Sequence, residues 1–166
     1  MTSEWASGQA GRVPLVLVTG SSGSGKSTVC VELQARGHEA HDMDLDGNAV
    51  WIHRETGDHW PDGRPPDTGA PAWFEDYAWT LLPPRVETLA ARARERTVFL
   101  CGMATNGDEV WHHFSTVIFL AIDEPTLRRR LAARTTNDFG KSPAELDAVL
   151  AWHAFAERAH RSAGAV

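Results

Sequence analysis

Short apolar runs of strand character alternate with helical segments along this 166-residue chain. That alternation predicts an α/β fold, a three-layer sandwich in which a parallel sheet carries helices on both faces. Two further features point the same way. The first apolar run, "PLVLVT" at residues 14–19, has no polar alternation and so reads as a buried central strand. It ends in a glycine- and serine-rich loop that opens a helix, at the end of the strands where open α/β sheets place their ligands. The length suits a single domain with a sizeable core.

The elements follow in order. Residues 1–12, "MTSEWASGQAGR", lack the apolar core of a signal peptide and read as a flexible tail before one domain spanning 13–166. After the first strand, residues 26–36 form a helix that Gly37 stops at its C-terminal end. "HEAHDMD", residues 38–44, is a second, less apolar strand, expected beside the first. Residues 46–82 or so form an insert, expected to be helical, around the proline- and glycine-rich stretch 56–71. Residues 87–96 are helical, "TVFLC" at 97–101 is a third strand, and "STVIFLAI" at 115–122 is a fourth. Asp123 as cap and Pro125 in the first turn open a helix that runs to about Arg134. The last helix begins with the capping box Ser142 and Glu145, and Leu146, Val149, Leu150 and His153 form its buried stripe. The final "GAV" fits the start of a fifth strand.

Composition excludes several classes. Apolar residues make up 42% and charged residues 23%, as in globular proteins. A net charge of -6 speaks against a nucleic-acid binder, which carries a basic face. No apolar stretch approaches the roughly 20 residues that cross a bilayer, so no membrane partner is expected. Cys30 and Cys101 sit in apolar segments and read as buried, reduced thiols of a cytoplasmic protein. His38 with His41, or His112 with His113, has no cysteine partner at zinc-finger spacing, so no structural zinc is expected. Monomer and homodimer both remain open.

Chemistry concentrates first in "VLVTGSSGSGKSTV", residues 16–29. Gly20, Gly25, Lys26 and Ser27 match the Walker A pattern G-x-x-x-x-G-K-S/T in full. Glycines let successive backbone N–H groups turn inward as an anion nest, and the following helix N-terminus adds its dipole. Residues Gly20, Ser21, Ser22, Gly23, Ser24, Gly25, Lys26, Ser27 and Thr28 are therefore the candidate phosphate cradle. Lys26 is placed to reach the β- and γ-phosphates of ATP, and the Ser27 hydroxyl to ligate Mg²⁺. A second cluster, Asp42 and Asp44, lies at the end of the second strand, two residues apart and so on one face of an extended chain. One of the two would orient hydrated Mg²⁺ and the other would take the proton of an attacking hydroxyl.

Together the phosphate loop, the D-x-D pair and "RLAAR" at 130–134 resemble the small P-loop kinases, among them shikimate, gluconate, nucleoside and nucleotide kinases. The resemblance implies a P-loop three-layer sandwich with an acceptor-binding insert and a short lid at about 134–142. It implies that Asp42 is the metal-side aspartate and Asp44 the acceptor-side one. It also implies that Arg130 packs on the adenine and that Arg134 reaches the phosphates from the lid, roles that suit a planar guanidinium. Arg85, in "LPPRVETL", falls where these kinases place an acceptor-binding arginine. Their glycine triplet after the third strand is absent. Residues 101–106 read "CGMATN", which argues against shikimate, although Gly102 would admit a ligand close to the backbone and Asn106 would hydrogen-bond it.

The insert holds four of the chain's seven tryptophans, Trp51, Trp60, Trp73 and Trp79. Trp51, Trp73 and Trp79 serve either to stack on an acceptor or to form a small satellite core. The resulting expectation is an ATP- and Mg²⁺-dependent enzyme that phosphorylates a hydroxyl of a small molecule, with Lys26, Asp44 and Arg134 catalytic. Two alternatives stand beside it. A nucleoside monophosphate kinase would recruit Arg54, Arg64 and Arg85 to the acceptor phosphate. A nucleotide switch or simple ATPase would carry a magnesium-holding aspartate on the third strand, which ends instead in Cys101 and Gly102.

Overall fold

The computed structural model describes residues 14–60, 72–135 and 139–162. The N-terminal tail, residues 61–71 of the insert with Arg64, residues 136–138 of the expected lid and the terminal "GAV" lie outside the described residues. The elements are β1 (Leu15–Thr19), α1 (Lys26–Ala35), β2 (Glu39–Asp42), β3 (Ala49–His53), α2 (Ala72–Asp76), β4 (Tyr77–Leu81), α3 (Pro83–Arg92), β5 (Val98–Cys101), α4 (Gly107–Val110), β6 (Thr116–Phe119), α5 (Glu124–Ala133) and α6 (Pro143–Ser162).

Four strands pair in parallel in the order β2-β5-β1-β6. All five residues of β1 are buried, as its unbroken apolar run requires. The period of two sorts its side chains between two cores. Leu15 and Leu17 join Val98 and Leu100 under Val86 and Leu89 of α3. Val16 and Val18 join Ala40 and Cys101 under Cys30 of α1. Helices thus cover both faces of the sheet.

One neighbour differs from expectation. β2 does not lie beside β1; β5 stands between them. The reason is polarity. "VFLC" suits the interior, whereas "EAHD" alternates Glu39 and His41 with buried Ala40 and Asp42, the pattern of an edge strand. The register still keeps Asp42, Cys101 and Val18 abreast, so the acidic pair and the phosphate loop remain at the same end of the sheet.

The insert also departs from the helical expectation. Its described residues form an antiparallel hairpin of β3 and β4, with only the short α2 helical. "AVWIH" and "YAWTL" are rich in β-branched and aromatic residues that favour strands. Trp51 faces Trp79 across the hairpin with ring centroids 5.3 Å apart. Asn106, after β5, does not wait for a ligand. Its side-chain carbonyl accepts from Leu81 N–H at 2.9 Å and its amide donates to the Leu81 carbonyl at 3.0 Å. Thr105 adds backbone and hydroxyl bonds to the Trp79 carbonyl, 2.8 and 3.0 Å long. The hairpin is therefore fastened to the domain along β4. Helix α3 starts earlier than its apolar pattern suggested, because Pro83 and Pro84 occupy its first turn, where a missing N–H costs nothing.

Candidate functional site

The loop between β1 and α1 takes its shape from glycine. Gly20 has φ +149°, and a Cβ there would lie 2.7 Å from Ser24 Oγ and 2.9 Å from the Leu120 carbonyl. Gly25, at φ +108°, caps α1 in the left-handed region. No side chain caps that helix start. The Lys26 ammonium folds back to donate to the carbonyls of Gly20 at 2.8 Å and Ser21 at 2.9 Å. Burial lowers its pKa to about 8, although Asp44 and Asp42 pull the other way. Ser24 Oγ is buried with no hydrogen-bond partner. Ser27 and Thr28 stand exposed in the first turn of α1. An anionic, oxygen-rich ligand fits this set: it offers Lys26 a better partner than two carbonyls and meets an uncapped helix start.

The acidic pair is built by a turn rather than by an extended strand. β2 ends at Asp42, whose carboxylate accepts from the Asp44 N–H at 2.9 Å, while the Asp42 N–H donates to the Asp46 carboxylate at 3.1 Å. This local bonding, common for Asp at turns, replaces the strand alternation expected from spacing. Asp42 is buried. Asp44 is exposed as a residue. Protein crowding around its carboxyl nevertheless raises its pKa above the usual aspartate value. Lys26, a hydrogen bond from Trp79, and Arg134 oppose that rise. Lys26, Asp42, Asp44 and Arg134 thus share one field. Among the described residues no three His, Cys, Asp or Glu side chains gather to hold a metal. A cation at Asp42 would need oxygens from Ser27 and from a nucleotide.

Arginines from distant positions meet the same loop. Arg130 donates to the Ser24 carbonyl at 2.9 Å, which puts its tip on the loop backbone. Arg134, which ends α5, donates to Ser22 Oγ at 3.2 Å and to the Phe139 carbonyl. Arg128 pairs with Glu124, and Arg129 donates to Thr126, so both serve their own helix. Arg85, on α3, reaches the carbonyls of Asp46 and Gly47, each at 3.4 Å, and so stands against the turn that carries Asp44.

The tryptophans divide. Trp73 is buried and stacks on Tyr77 with centroids 4.0 Å apart and planes at 7°, while Trp60 packs edge-on against it at 4.8 Å. Trp51 touches the rings of Trp73, Phe74 and Trp79. These contacts make a satellite core of Trp51 and Trp73. Trp79 packs on the main core, and its side chain also favours the ionised form of Asp44. Gly102 makes room for Met43, whose Cβ would lie 2.2 Å from an added Cβ, so the close approach there belongs to the protein itself. Cys30 and Cys101 are free and buried in one core cluster, and burial pushes both thiols up.

The Trp79 bond to Asp44 has no signature in sequence, because only the hairpin register directs that ring. His153 is a second residue the motifs pass over. Its Nδ1 shares a 2.8 Å hydrogen bond with Ser21 Oγ across 132 residues of chain. A histidine within an apolar helical stripe was its one visible sign. No helix among the described residues is long and apolar enough to cross a membrane.

Among curated proteins none matches the chain. Among solved structures the chain is similar to a gluconokinase from Sinorhizobium meliloti 1021, with 23% identity and a TM-score of 0.44 over 84% of this chain and 75% of that one. It is also similar to TT1252 from Thermus thermophilus, with 20% identity and a TM-score of 0.45 over 82% of this chain and 81% of that one. The family model described as an AAA domain matches residues 16–150, from the first strand through the phosphate loop and the arginine helix into α6. The chain belongs to this AAA domain family of P-loop proteins.

Proposed function

We propose that the protein is a kinase that uses ATP and Mg²⁺ to phosphorylate a hydroxyl of a small molecule such as a sugar or nucleoside. One observation carries this reading: the Lys26 ammonium and the Asp44 carboxylate lie close enough that each is the largest charged influence on the other. A simple nucleotide switch needs no carboxylate to take the proton of an acceptor hydroxyl. A kinase does, because something must orient the acceptor and take its proton.

The magnesium–ATP complex would supply the transferable phosphoryl group and part of the charge neutralisation. The chain's own residues supply the rest. The N–H groups of residues 20–28 would hold phosphate oxygens, and Ser27 with Asp42 would hold the cation side. Lys26 leaves the carbonyls of Gly20 and Ser21 for anionic oxygen, which restores its full positive charge. Asp44, oriented by the Trp79 N–H, takes the hydroxyl proton. Arg134 neutralises charge from the α5 end, and residues 134–142 act as a lid that excludes water.

A neutral acceptor is favoured over a nucleoside monophosphate. Arg54 is engaged with the Phe74 carbonyl at 3.5 Å, and Arg85 with two carbonyls of the Asp44 turn. Two buried donors of the insert region, Asn48 Nδ2 and Trp73 Nε1, have no partner and suit hydroxyl or ether oxygens. The test is a coupled assay of ADP release across sugars, polyols, nucleosides and nucleotides. Turnover with a neutral hydroxyl compound is expected. Turnover only with monophosphates, or ATP hydrolysis that no compound stimulates, would overturn the proposal.

A further inference from the structure

Ser21 is bonded through both its carbonyl and its hydroxyl. Its carbonyl accepts from Lys26 at 2.9 Å and from the Ser24 N–H at 3.0 Å. Its hydroxyl shares the 2.8 Å bond with His153 of α6, and both residues are buried. The pair is polar where packing alone would use carbon. Val149, one turn before His153, is buried against Leu127 and Leu131 of α5, with Leu146 and Leu150 packed alongside. A leucine at position 153 would continue that stripe. A buried hydroxyl and imidazole are tolerated only because each satisfies the other, which makes their bond directional.

The bond also joins two bodies. Ser22, next in the loop, accepts from Arg134, and Arg134 bonds the Phe139 carbonyl. The Gly140 N–H then donates to Glu145 at the start of α6 at 3.1 Å. Consecutive loop residues are thus tied to opposite ends of the 134–145 stretch, Ser22 directly and Ser21 through α6.

We propose that His153 is a positioning residue of the phosphate loop: by holding Ser21 it fixes the loop against α6, and through that bond the C-terminal helix contributes to nucleotide affinity. The inference rests on the nucleotide-binding part of the function proposed above and not on the acceptor.

The experiment is calorimetric titration of MgADP into wild type, His153→Ala, His153→Asn, Ser21→Ala and the Ser21→Ala/His153→Ala double variant, with thermal unfolding in parallel. Loss of the bond should weaken MgADP about fivefold, the scale of one net hydrogen bond. The double variant should bind no worse than either single one, since they remove the same bond. Asparagine carries a polar atom at the δ position and should restore most of the affinity, a rescue that helix packing alone would not give. Wild-type affinity in His153→Ala, whatever its melting temperature, would overturn the proposal. Should His153→Ala fail to fold, Ser21→Ala decides in the same way. Absence of MgADP binding by wild type would remove the nucleotide reading and this inference together, whereas failure of every acceptor would leave this inference standing.

Discussion

The phosphate loop takes most of its shape from consecutive residues, 20–28, whereas the aromatic insert takes its shape from residues brought together by folding. In the loop, glycines at positive φ, the start of α1 and Lys26 follow one another in the chain. In the insert, Trp51 meets Trp79 only through hairpin register, and β4 is held by Asn106, 25 residues past Leu81. The difference separates two kinds of dependence. Chemistry in the loop should fail when one side chain is removed while the fold persists. Function in the insert should fail when its fastening is removed, while the nucleotide site persists.

The largest effect belongs to the loop. Lys26→Ala should lower phosphoryl transfer by about 10³-fold or more, because the transferring group loses its nearest cation. Thermal unfolding should stay close to wild type, since the ammonium is bonded to carbonyls of the loop itself and not to the rest of the core. Near-normal turnover would break the comparison at its strongest point. Next comes the turn between the two regions. Asp44→Asn keeps the shape but removes the proton acceptor, and turnover should fall roughly 10²-fold with MgADP affinity nearly kept. Asp42→Asn should instead weaken the dependence on Mg²⁺. Small, equal effects at the two positions would return both aspartates to a purely structural turn.

Insert fastening is tested at Asn106. Its replacement by Ala leaves the N–H and carbonyl of buried Leu81 unpaired. Stability to urea should fall by about 1–3 kcal/mol, and acceptor KM should rise. MgADP affinity, read by titration calorimetry, should not move. A parallel loss of nucleotide affinity would show that the two regions are not separable.

This contrast also explains what the sequence could and could not disclose. The Walker A pattern names its residues and their conformation together, because backbone geometry and ligand groups are contiguous. The central strands were legible for the same reason, through unbroken apolar runs. The β2 position was not, since strand order depends on which of two strands tolerates the edge, a competition between Glu39 and His41 on one side and "VFLC" on the other. Asn106 read as a ligand donor because a side chain completing a strand has no spacing signature. Gly102 read as a ligand approach because its real neighbour, Met43, lies on another strand's exit.

The loop's charge state offers a pH test. Free Lys26 has a pKa of about 8, depressed by burial. A bound polyphosphate favours its charged form, so binding takes up a proton above pH 8. The sign follows: the depressed free-state pKa makes affinity fall as pH rises through it, with no effect below. MgADP should bind about tenfold more weakly at pH 9 than at pH 7. The calorimetric enthalpy at pH 9 should vary with the ionisation enthalpy of the buffer. In Lys26→Ala both the pH slope and the buffer dependence should vanish. A flat affinity across this range in wild type would mean that Lys26 stays charged in the free protein.

The smallest effect lies where insert and loop chemistry meet, at Trp79. Its ring packs on the core and its N–H favours the Asp44 carboxylate, so one residue serves both regions. Trp79→Phe keeps most of the ring and removes only the donor. Burial already raises the Asp44 pKa, and the Trp79 bond opposes that rise by favouring the carboxylate. Without the bond the pKa climbs further, and a larger share of Asp44 is protonated, and so unable to act as base, at a given pH. The acid limb of kcat/KM should therefore move to higher pH in Trp79→Phe. The loss should be smallest at neutral pH and grow as pH falls, and acceptor KM should change less than kcat. A merely structural tryptophan would give another outcome: a lower melting temperature with the pH profile unmoved. An unshifted acid limb in a well-folded Trp79→Phe would place Trp79 with Trp51 and Trp73 in the satellite core, and would leave Asp44 to be oriented by its own turn.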